Sequence, residues 1–113
     1  MIVKQENRLP RELQPGVSHA VLAFNDALML CEVSIAAGVT FPEHGHPHTQ
    51  AVYVVSGSVR FTLGDRVVEL GAGDSCVIPP DVIHGLVALS DARVIDAFTP
   101  VREDLLPHAP IAL

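Results

Sequence analysis

Three histidines and one glutamine occupy alternate positions in a short segment near the middle of the chain. They are His44, His46, His48 and Gln50, and the segment, residues 38–57, has a glycine at each end. Residues two apart in an extended strand face the same side, so these four side chains can converge. Imidazole nitrogens suit the divalent transition metals Mn, Fe, Ni, Cu and Zn. The pattern therefore predicts a metal site, and His84, in a second segment of residues 73–85, is a further candidate ligand.

The same cluster has a simpler interpretation as an exposed polar loop, because Pro42 and Pro47 accompany the histidines. Pro47 also lacks the backbone N–H that a regular strand would use there. We therefore interpret His48 as a pocket residue that contacts substrate or carries a proton, or as a rim histidine without a role, and not as a further ligand. His19 and His108 lie outside both segments and are predicted to be surface residues.

A second candidate cluster lies towards the C-terminal end, in the sequence VIDAFTPVREDLL. Asp96 and Phe98 are two residues apart, so both can face the interior from one strand. A carboxylate in such an apolar run is costly to bury unless it is paired or functional, which makes Asp96 a candidate catalytic residue. Arg102 is suited to forking onto a substrate carboxylate. The alternative is an Asp96–Arg102 ion pair that only fixes the C-terminal segment.

The composition restricts the class of protein. A chain of 113 residues forms one domain, and with 49% apolar and 18% charged residues its surface is expected to be apolar enough to favour a homodimer. A net charge of −6 without any basic run argues against nucleic acid and anionic membranes as partners. The chain has neither a secretory signal pattern nor an apolar run of bilayer length, so a cytoplasmic location is expected.

Both cysteines stand among apolar neighbours, Cys31 in LMLCEV and Cys76 in DSCVIP. This setting is typical of small core residues that stay reduced in the cytosol. A catalytic thiol at Cys76, beside the second histidine segment, is the alternative.

Short runs with strand character follow one another along most of the chain, and Gly, Pro, Asn and Asp separate them. They span residues 17–24, 27–36, 50–56, 58–63, 66–70, 75–79, 84–89 and 92–98. No segment shows a long helical period, so the pattern predicts an all-β sandwich or barrel, and this number of strands suits a jelly roll. The first sixteen residues and the tail after Pro100 hold few strand signals.

The two histidine segments resemble the two sequence motifs of the cupin superfamily. The first reads Gly38, five residues, His44-x-His46, three residues, Gln50, six residues and Gly57, with Gln50 where the usual form has Glu. The second reads Gly73, five residues, Pro79-x-Asp81, two residues, His84, three residues and Ala88, with Asp81 for Gly and Ala88 for Asn. The resemblance implies an all-β double-stranded β-helix, or jelly-roll barrel, as a single domain of residues 1–113. We expect an N-terminal arm (1–16), a β-barrel (17–99) and a C-terminal tail (100–113).

This resemblance implies a ligand set of His44, His46, Gln50 and His84 for one divalent transition metal per chain, either Ni, Zn, Mn or Fe. Gln50 is a neutral ligand in place of the usual carboxylate, so the charge of the ion stays uncompensated. Such a site should favour an anionic substrate and act as a strong Lewis acid. The alternative for Gln50 is a hydrogen-bonding role beside the metal, with water as the ligand in its place.

A narrower resemblance, over almost the whole chain, is to the small single-domain KdgF-like cupins, which convert 4,5-unsaturated monouronates into linear ketouronates. It implies that Asp96, Phe98 and Arg102 serve activity, while Thr49 stands where relatives often carry Glu. The predicted function is a metal-dependent isomerase or lyase acting on a small anionic sugar acid. Arg102 would hold the carboxylate, Asp96 would move a proton and Phe98 would pack on the sugar. The alternatives are an Fe(II)-dependent dioxygenase and a cupin that binds a metal and a small anion without turnover.

Overall fold

A computed structural model describes residues 1–113 and contains ten strands and two short 3-10 helices. The strands are β1 (Arg11–Gln14), β2 (Val17–Phe24), β3 (Met29–Ile35), β4 (Thr40–His44), β5 (Thr49–Ser56), β6 (Ser58–Leu63), β7 (Arg66–Gly71), β8 (Ser75–Ile78), β9 (His84–Ala88) and β10 (Ala92–Thr99). The 3-10 helices span Gln5–Asn7 and Glu103–His108. None of the helices is both long and apolar enough to cross a membrane.

The strands form two antiparallel sheets, and the predicted jelly-roll architecture is confirmed. The larger sheet has the order β1-β2-β3-β10-β5-β8, and the smaller has the order β4-β9-β6-β7. Burial alternates along the central strands β3 and β10, so every second side chain faces the interior between the sheets. Aliphatic side chains from both sheets fill most of that interior, including Val33, Val54, Val59, Ile78 and Val94.

Two of the ten strands were not anticipated from the sequence. β1 lies within the first sixteen residues, and β4 precedes the histidine cluster. Each is the edge strand of its sheet, so one side of its backbone remains unpaired. Edge strands tolerate polar residues and proline, which explains the sequence RELQ in β1 and Pro42 in β4. Residues 1–16 showed few strand signals because an exposed edge strand such as Arg11–Gln14 lacks the apolar alternation that signals a strand. The segment predicted as an N-terminal arm therefore contains one strand.

One motif glycine is required by close backbone packing. Gly57, between β5 and β6, has a φ of 78°. A Cβ atom at this position would collide with the carbonyl oxygen of Asp91 and would lie 2.8 Å from the Cα atom of Ala92. Only glycine satisfies both conditions, so the chain can turn here against the start of β10.

The C-terminal tail closes one end of the barrel. Val101 and Leu105 are buried in a second apolar cluster, together with Met29 and Phe98. The backbone N–H of Val101 donates to the carbonyl oxygen of Asp26 at 3.1 Å, which ties the tail to the β2–β3 turn. The helix that follows is therefore packed against the barrel, and its side chains reach the interior at this end.

Candidate metal centre

His44 and His84 meet because β4 and β9 are paired. They are directly opposite each other in the antiparallel register, with ring centroids 4.4 Å apart. Gly85 allows this approach, since a Cβ atom there would lie 3.0 Å from backbone atoms of Phe41 and Glu43. His46 follows the end of β4, and its ring centroid lies 4.9 Å from that of His84. The ligand atoms of the three histidines all lie within 4.8 Å of one another, so they are positioned to bind a metal ion.

Each of these three rings is oriented by its own local backbone. The Nδ1 atom of each ring lies 2.9–3.2 Å from a backbone carbonyl oxygen two residues away in the sequence. Nδ1 therefore carries the proton and donates it, which leaves the lone pair of Nε2 available to a metal. The Nε2 atom of His84 is buried without any hydrogen-bond partner. Burial also lowers the pKa of His46 and of His84, which favours the neutral form that a metal requires.

Gln50 lies beside this cluster on the opposite sheet. Its Oε1 atom lies 2.9 Å from Nε2 of His46. Because His46 donates through Nδ1, both of these facing atoms carry lone pairs, and a cation would relieve their repulsion. Two ligands at right angles, each about 2.1 Å from a metal, are separated by roughly 3 Å. The donor set therefore fits a divalent transition metal held by three histidines, with Gln50 adjacent.

The single extended strand expected over the histidine segment is wrong. β4 ends at His44 and β5 begins at Thr49, and the two strands belong to different sheets. Pro47 interrupts the strand, and the carbonyl oxygen of His46 accepts a hydrogen bond from the N–H of Asp81 at 2.8 Å instead of pairing within a sheet. His44, His46 and Gln50 therefore converge because the chain crosses between the sheets, and not because they share one face of a strand.

His48 is not part of the histidine group that is positioned for a metal. Its backbone carbonyl accepts the hydrogen bond from Nδ1 of His46, so this residue helps to orient a neighbouring ligand. Its ring lies 5.5 Å from that of His46 and 6.5 Å from that of Phe98, and its own Nδ1 is buried without a partner. The contact with substrate assigned to His48 stays a prediction.

Asp96, Phe98 and Arg102 line a cavity of about 110 Å³ between the sheets, together with Gln50 and His84. Phe98 is opposite Gln50 in the β10–β5 register, and Asp96 is the inward-facing residue two positions before Phe98 on β10. Burial raises the pKa of Asp96 to about 6, although the side chain of Gln50 and the charge of Arg102 act in the opposite direction. The three histidines and Gln50 form what we call the metal-type cluster, and the candidate catalytic residues share one cavity with three of its members, His44, Gln50 and His84.

Arg102 pairs with Asp104 and not with Asp96. Its Nε and Nη2 atoms donate to the two carboxylate oxygens of Asp104 at 2.9 and 2.8 Å. Its guanidinium carbon also lies 5.0 Å from the centre of the Phe98 ring. The proposed Asp96–Arg102 ion pair is therefore absent from the structure. The sequence reasoning overlooked Asp104, although its spacing from Arg102 was visible.

His19 also lines this cavity, so its assignment as a surface residue was wrong. Only 6% of the residue is exposed. It lies on β2 between the buried residues Val17 and Val21, and its position in this alternation was the signal that could have placed it inside. Burial, assisted by the positive charges of Arg11 and Arg102, lowers the pKa of His19 to about 4.

The two cysteines are free thiols, Cys31 buried and Cys76 half-buried. Burial raises the pKa of Cys31 to about 12, and it raises the pKa of Cys76 as well. A raised pKa reduces the fraction of nucleophilic thiolate, which favours the interpretation as core residues over a catalytic thiol at Cys76.

Comparisons with known proteins agree with this architecture. Residues 31–98 match the family model Cupin_2, described as a cupin domain. An RmlC-like cupin from Shewanella frigidimarina NCIMB 400 is similar with a TM-score of 0.88 and 33% identity, over 92% of this chain and 94% of that one. KdgF from Halomonas sp. is similar with a TM-score of 0.88 and 32% identity, over 93% of this chain and 97% of that one.

A plant protein is also similar in sequence. Germin-like protein subfamily T member 3 from Arabidopsis thaliana is 35% identical over 100 residues, which cover 75% of this chain. This chain spans only 42% of the length of that relative.

Proposed function

This chain belongs to the cupin family, and from that premise we propose that it is a metal-dependent enzyme acting on a small sugar acid. The observation that carries the proposal is that the buried carboxyl group of Asp96 lines the same cavity as His44, His84 and Gln50. A metal-type cluster facing a buried acid is the combination that general acid–base chemistry on a polarised substrate needs.

His44, His46 and His84 would hold the metal, with Gln50 as a neutral fourth ligand. When bound, the ion supplies a Lewis acid that polarises oxygen atoms of the substrate. None of these four side chains is anionic, so they do not neutralise a divalent ion, and an anionic substrate is favoured. The ion is one of the divalent transition metals Ni, Zn, Mn or Fe, all of which accept imidazole ligands.

Asp96 would hold and release the proton that the reaction moves. It lies in an apolar interior, and its pKa of about 6 allows both the protonated and the ionised form near neutral pH. Phe98, opposite Gln50 in the register, presents a ring beside the metal-type cluster, with 5.6 Å between its centroid and that of His46. The substrate would pack on this ring and be aligned with the carboxyl group of Asp96.

Arg102 would bind the carboxylate of the substrate. Its two hydrogen bonds to Asp104 hold the guanidinium group at the cavity wall and leave its other N–H donors available. Asp104 therefore acts as a positioning residue.

The resemblance to KdgF-like cupins supports the conversion of a 4,5-unsaturated monouronate into a linear ketouronate as the reaction. This reaction adds a proton to C4 of the double bond, breaks the bond between the ring oxygen and C1, and releases the proton of the C1 hydroxyl group, which leaves a ketone at C5 and an aldehyde at C1. A buried acid that titrates near neutral pH suits the first step, and a polarised ring oxygen suits the second.

The test is to incubate the metal-loaded protein with unsaturated galacturonate and to follow the absorbance of the 4,5-double bond. We expect the absorbance to disappear faster than it does spontaneously, and Asp96→Asn to remove that acceleration. A rate equal to the spontaneous one, with the metal confirmed as bound, contradicts the proposal. Oxygen uptake that depends on substrate would instead indicate a dioxygenase. Binding of the sugar acid without turnover, with the same affinity in Asp96→Asn as in the unmodified protein, would indicate a binding protein.

A further inference from the structure

We propose that His19 forms a second polar subsite in this cavity, where it hydrogen-bonds an oxygen atom at the end of the ligand remote from the metal. This inference rests on the proposed function, because it concerns how the same cavity holds a small sugar acid. It extends that function by assigning a ligand contact to β2, a strand that carries none of the motif residues.

The register of the larger sheet places His19 away from the metal-type cluster but on the same cavity. His19 is opposite Val33, and Val33 is opposite Val94, which lies one inward step before Asp96 along β10. An inward step of two residues is roughly 7 Å. Phe98 is the next inward-facing residue after Asp96 on β10, and Gln50 is opposite Phe98 on β5. The cavity therefore extends from Gln50 past Asp96 to the level of Val94 and His19.

The imidazole of His19 lacks the hydrogen bonds that a structural histidine uses. Its Nδ1 atom is buried without a partner, whereas Nδ1 of His44, His46 and His84 each faces a backbone carbonyl oxygen. Buried polar atoms in proteins are almost always paired, because an unpaired one loses its hydration without compensation. The ring is therefore suited to a partner that the protein itself does not supply, and the cavity is where such a partner can lie.

The charges around His19 indicate the chemistry of that partner. Arg11 is its cross-strand neighbour on β1, and the Nε atom of Arg11 is likewise buried without a partner. Arg102 adds positive charge to its surroundings, and Asp104 is the acid that opposes it. A neutral imidazole among cationic donors fits an oxygen of a hydroxyl or carboxylate group. The ligand must then be long enough to place oxygen atoms at both ends of the cavity, as a six-carbon sugar acid is and a two-carbon hydroxy acid is not.

The experiment compares two probes by calorimetry on the nickel-loaded protein: D-galacturonate, which is long enough to contact both ends, and glycolate, which reaches only the metal end. We expect His19→Leu to weaken D-galacturonate binding about tenfold and to change glycolate binding less than twofold. His19→Asn keeps a polar atom near the position of Nδ1, so most of the affinity should return. His108→Gln, a control at the same end but outside the cavity lining, should bind both probes as the unmodified protein does.

Three results would overturn the inference: no D-galacturonate binding by the unmodified protein, unchanged affinity in His19→Leu, or an equal loss for both probes. Metal content and melting temperature are measured for every variant, and His19→Asn remains informative if His19→Leu folds poorly. Failure of the proposed function is distinguishable. An absence of turnover on unsaturated galacturonate contradicts the enzyme, whereas binding that depends on His19 would still support the subsite.

Discussion

The two ends of the barrel cavity are built in different ways. At the metal end, His44, His46 and His84 are each oriented by a carbonyl oxygen two residues away, so the local backbone suffices to aim the ring. In the rest of the cavity lining, which we call the second end, Arg102 lies over the ring of Phe98 and is oriented by the side chain of Asp104 in the C-terminal 3-10 helix. His19, on β2, has no orienting hydrogen bond to Nδ1. The first end is preorganised, and the second depends on the tail and on the ligand.

This difference has a chemical consequence. A metal needs several ligand atoms within a narrow range of distances, so rigid local anchoring benefits the first end. Recognition of a substrate tolerates donors that adjust on binding, and the cationic groups of the second end are carried by long side chains of this kind. We therefore expect substitutions at the first end to remove the metal altogether, and substitutions at the second end to change affinity or rate by graded amounts.

The largest effect is expected at the metal end. His84→Ala removes a ligand whose Nε2 is buried and aimed at the other two histidines, so bound metal should fall from about one ion per chain to near zero. Inductively coupled plasma mass spectrometry of protein dialysed against excess metal measures this. His48→Ala is the matched control, because its side chain lies outside the histidine group positioned for a metal and the substitution keeps the backbone carbonyl that orients His46. Equal metal loss in both variants would contradict the distinction between His48 and the ligands.

The next effect concerns the acid between the two ends. Asp96→Asn keeps the size and removes the titrating group, so kcat should fall by about 10²- to 10⁴-fold while the bound metal remains. Steady-state kinetics on unsaturated galacturonate, with metal analysis of the same sample, measure both quantities. A variant that retains most of its kcat would exclude Asp96 as the proton-transfer group. Loss of the metal together with activity would instead make Asp96 a structural part of the first end.

A smaller effect is expected when the orientation of Arg102 is weakened. Asp104→Asn removes the charged partner of the guanidinium group, so KM should rise about tenfold, with little change in kcat, because Arg102 must then be ordered by the substrate. Glu103→Gln, at the exposed neighbouring position in the same 3-10 helix, is the matched control. If both variants have the same KM, the pairing in the tail does not serve substrate binding.

The smallest effect is on folding stability and depends on pH. Burial lowers the pKa of His19 in the folded protein to about 4, from its ordinary value of 6.5. The stabilisation by neutral His19 is complete above the unfolded pKa and is lost as pH falls towards the folded pKa, because the unfolded chain binds the proton more readily. Lowering the pH from 7 to 5.5 should therefore reduce the free energy of unfolding by about 1 kcal/mol through this group.

Urea denaturation of the unmodified protein and of His19→Asn at both pH values checks this expectation. The variant should lose less stability on acidification, since every other titrating group is common to the two proteins. An identical pH dependence would indicate that His19 is hydrated in the folded state. The second end would then be more open to water than the 6% exposure of His19 implies.

Much of the fold followed from local patterns. Eight runs of alternating or apolar residues correspond to strands β2, β3 and β5–β10, because their periodicity reflects a buried face. The edge strands β1 and β4 escaped this reasoning, since a strand with one unpaired side and little burial has no such pattern. Asp81 has a φ of 66° at the position where the cupin motif has glycine. Aspartate tolerates this conformation better than most residues, which accounts for that departure from the motif.

The residues of the candidate site likewise divide into those that the sequence nominated and those that it did not. The spacing of His44, His46 and Gln50, with His84 in the second motif, was sufficient to nominate the metal-type cluster. The alternative pairing of Arg102 with Asp96 was wrong. The partner is Asp104, two residues away, and such a spacing permits an ion pair without requiring one. His19 was likewise misplaced, since no motif marks β2 and a single histidine in a strand has no chemical signature of its own.

The sequence alone determined the types and spacing of the candidate ligands and the all-β character of the chain. These depend on short-range geometry and on periodicity, which a linear pattern records. Tertiary structure decided that the histidine segment crosses from one sheet to the other, that Arg102 does not pair with Asp96, and that His19 lines the cavity. Those outcomes depend on contacts between residues far apart in the chain, where packing and charge select one partner among several that the sequence permits.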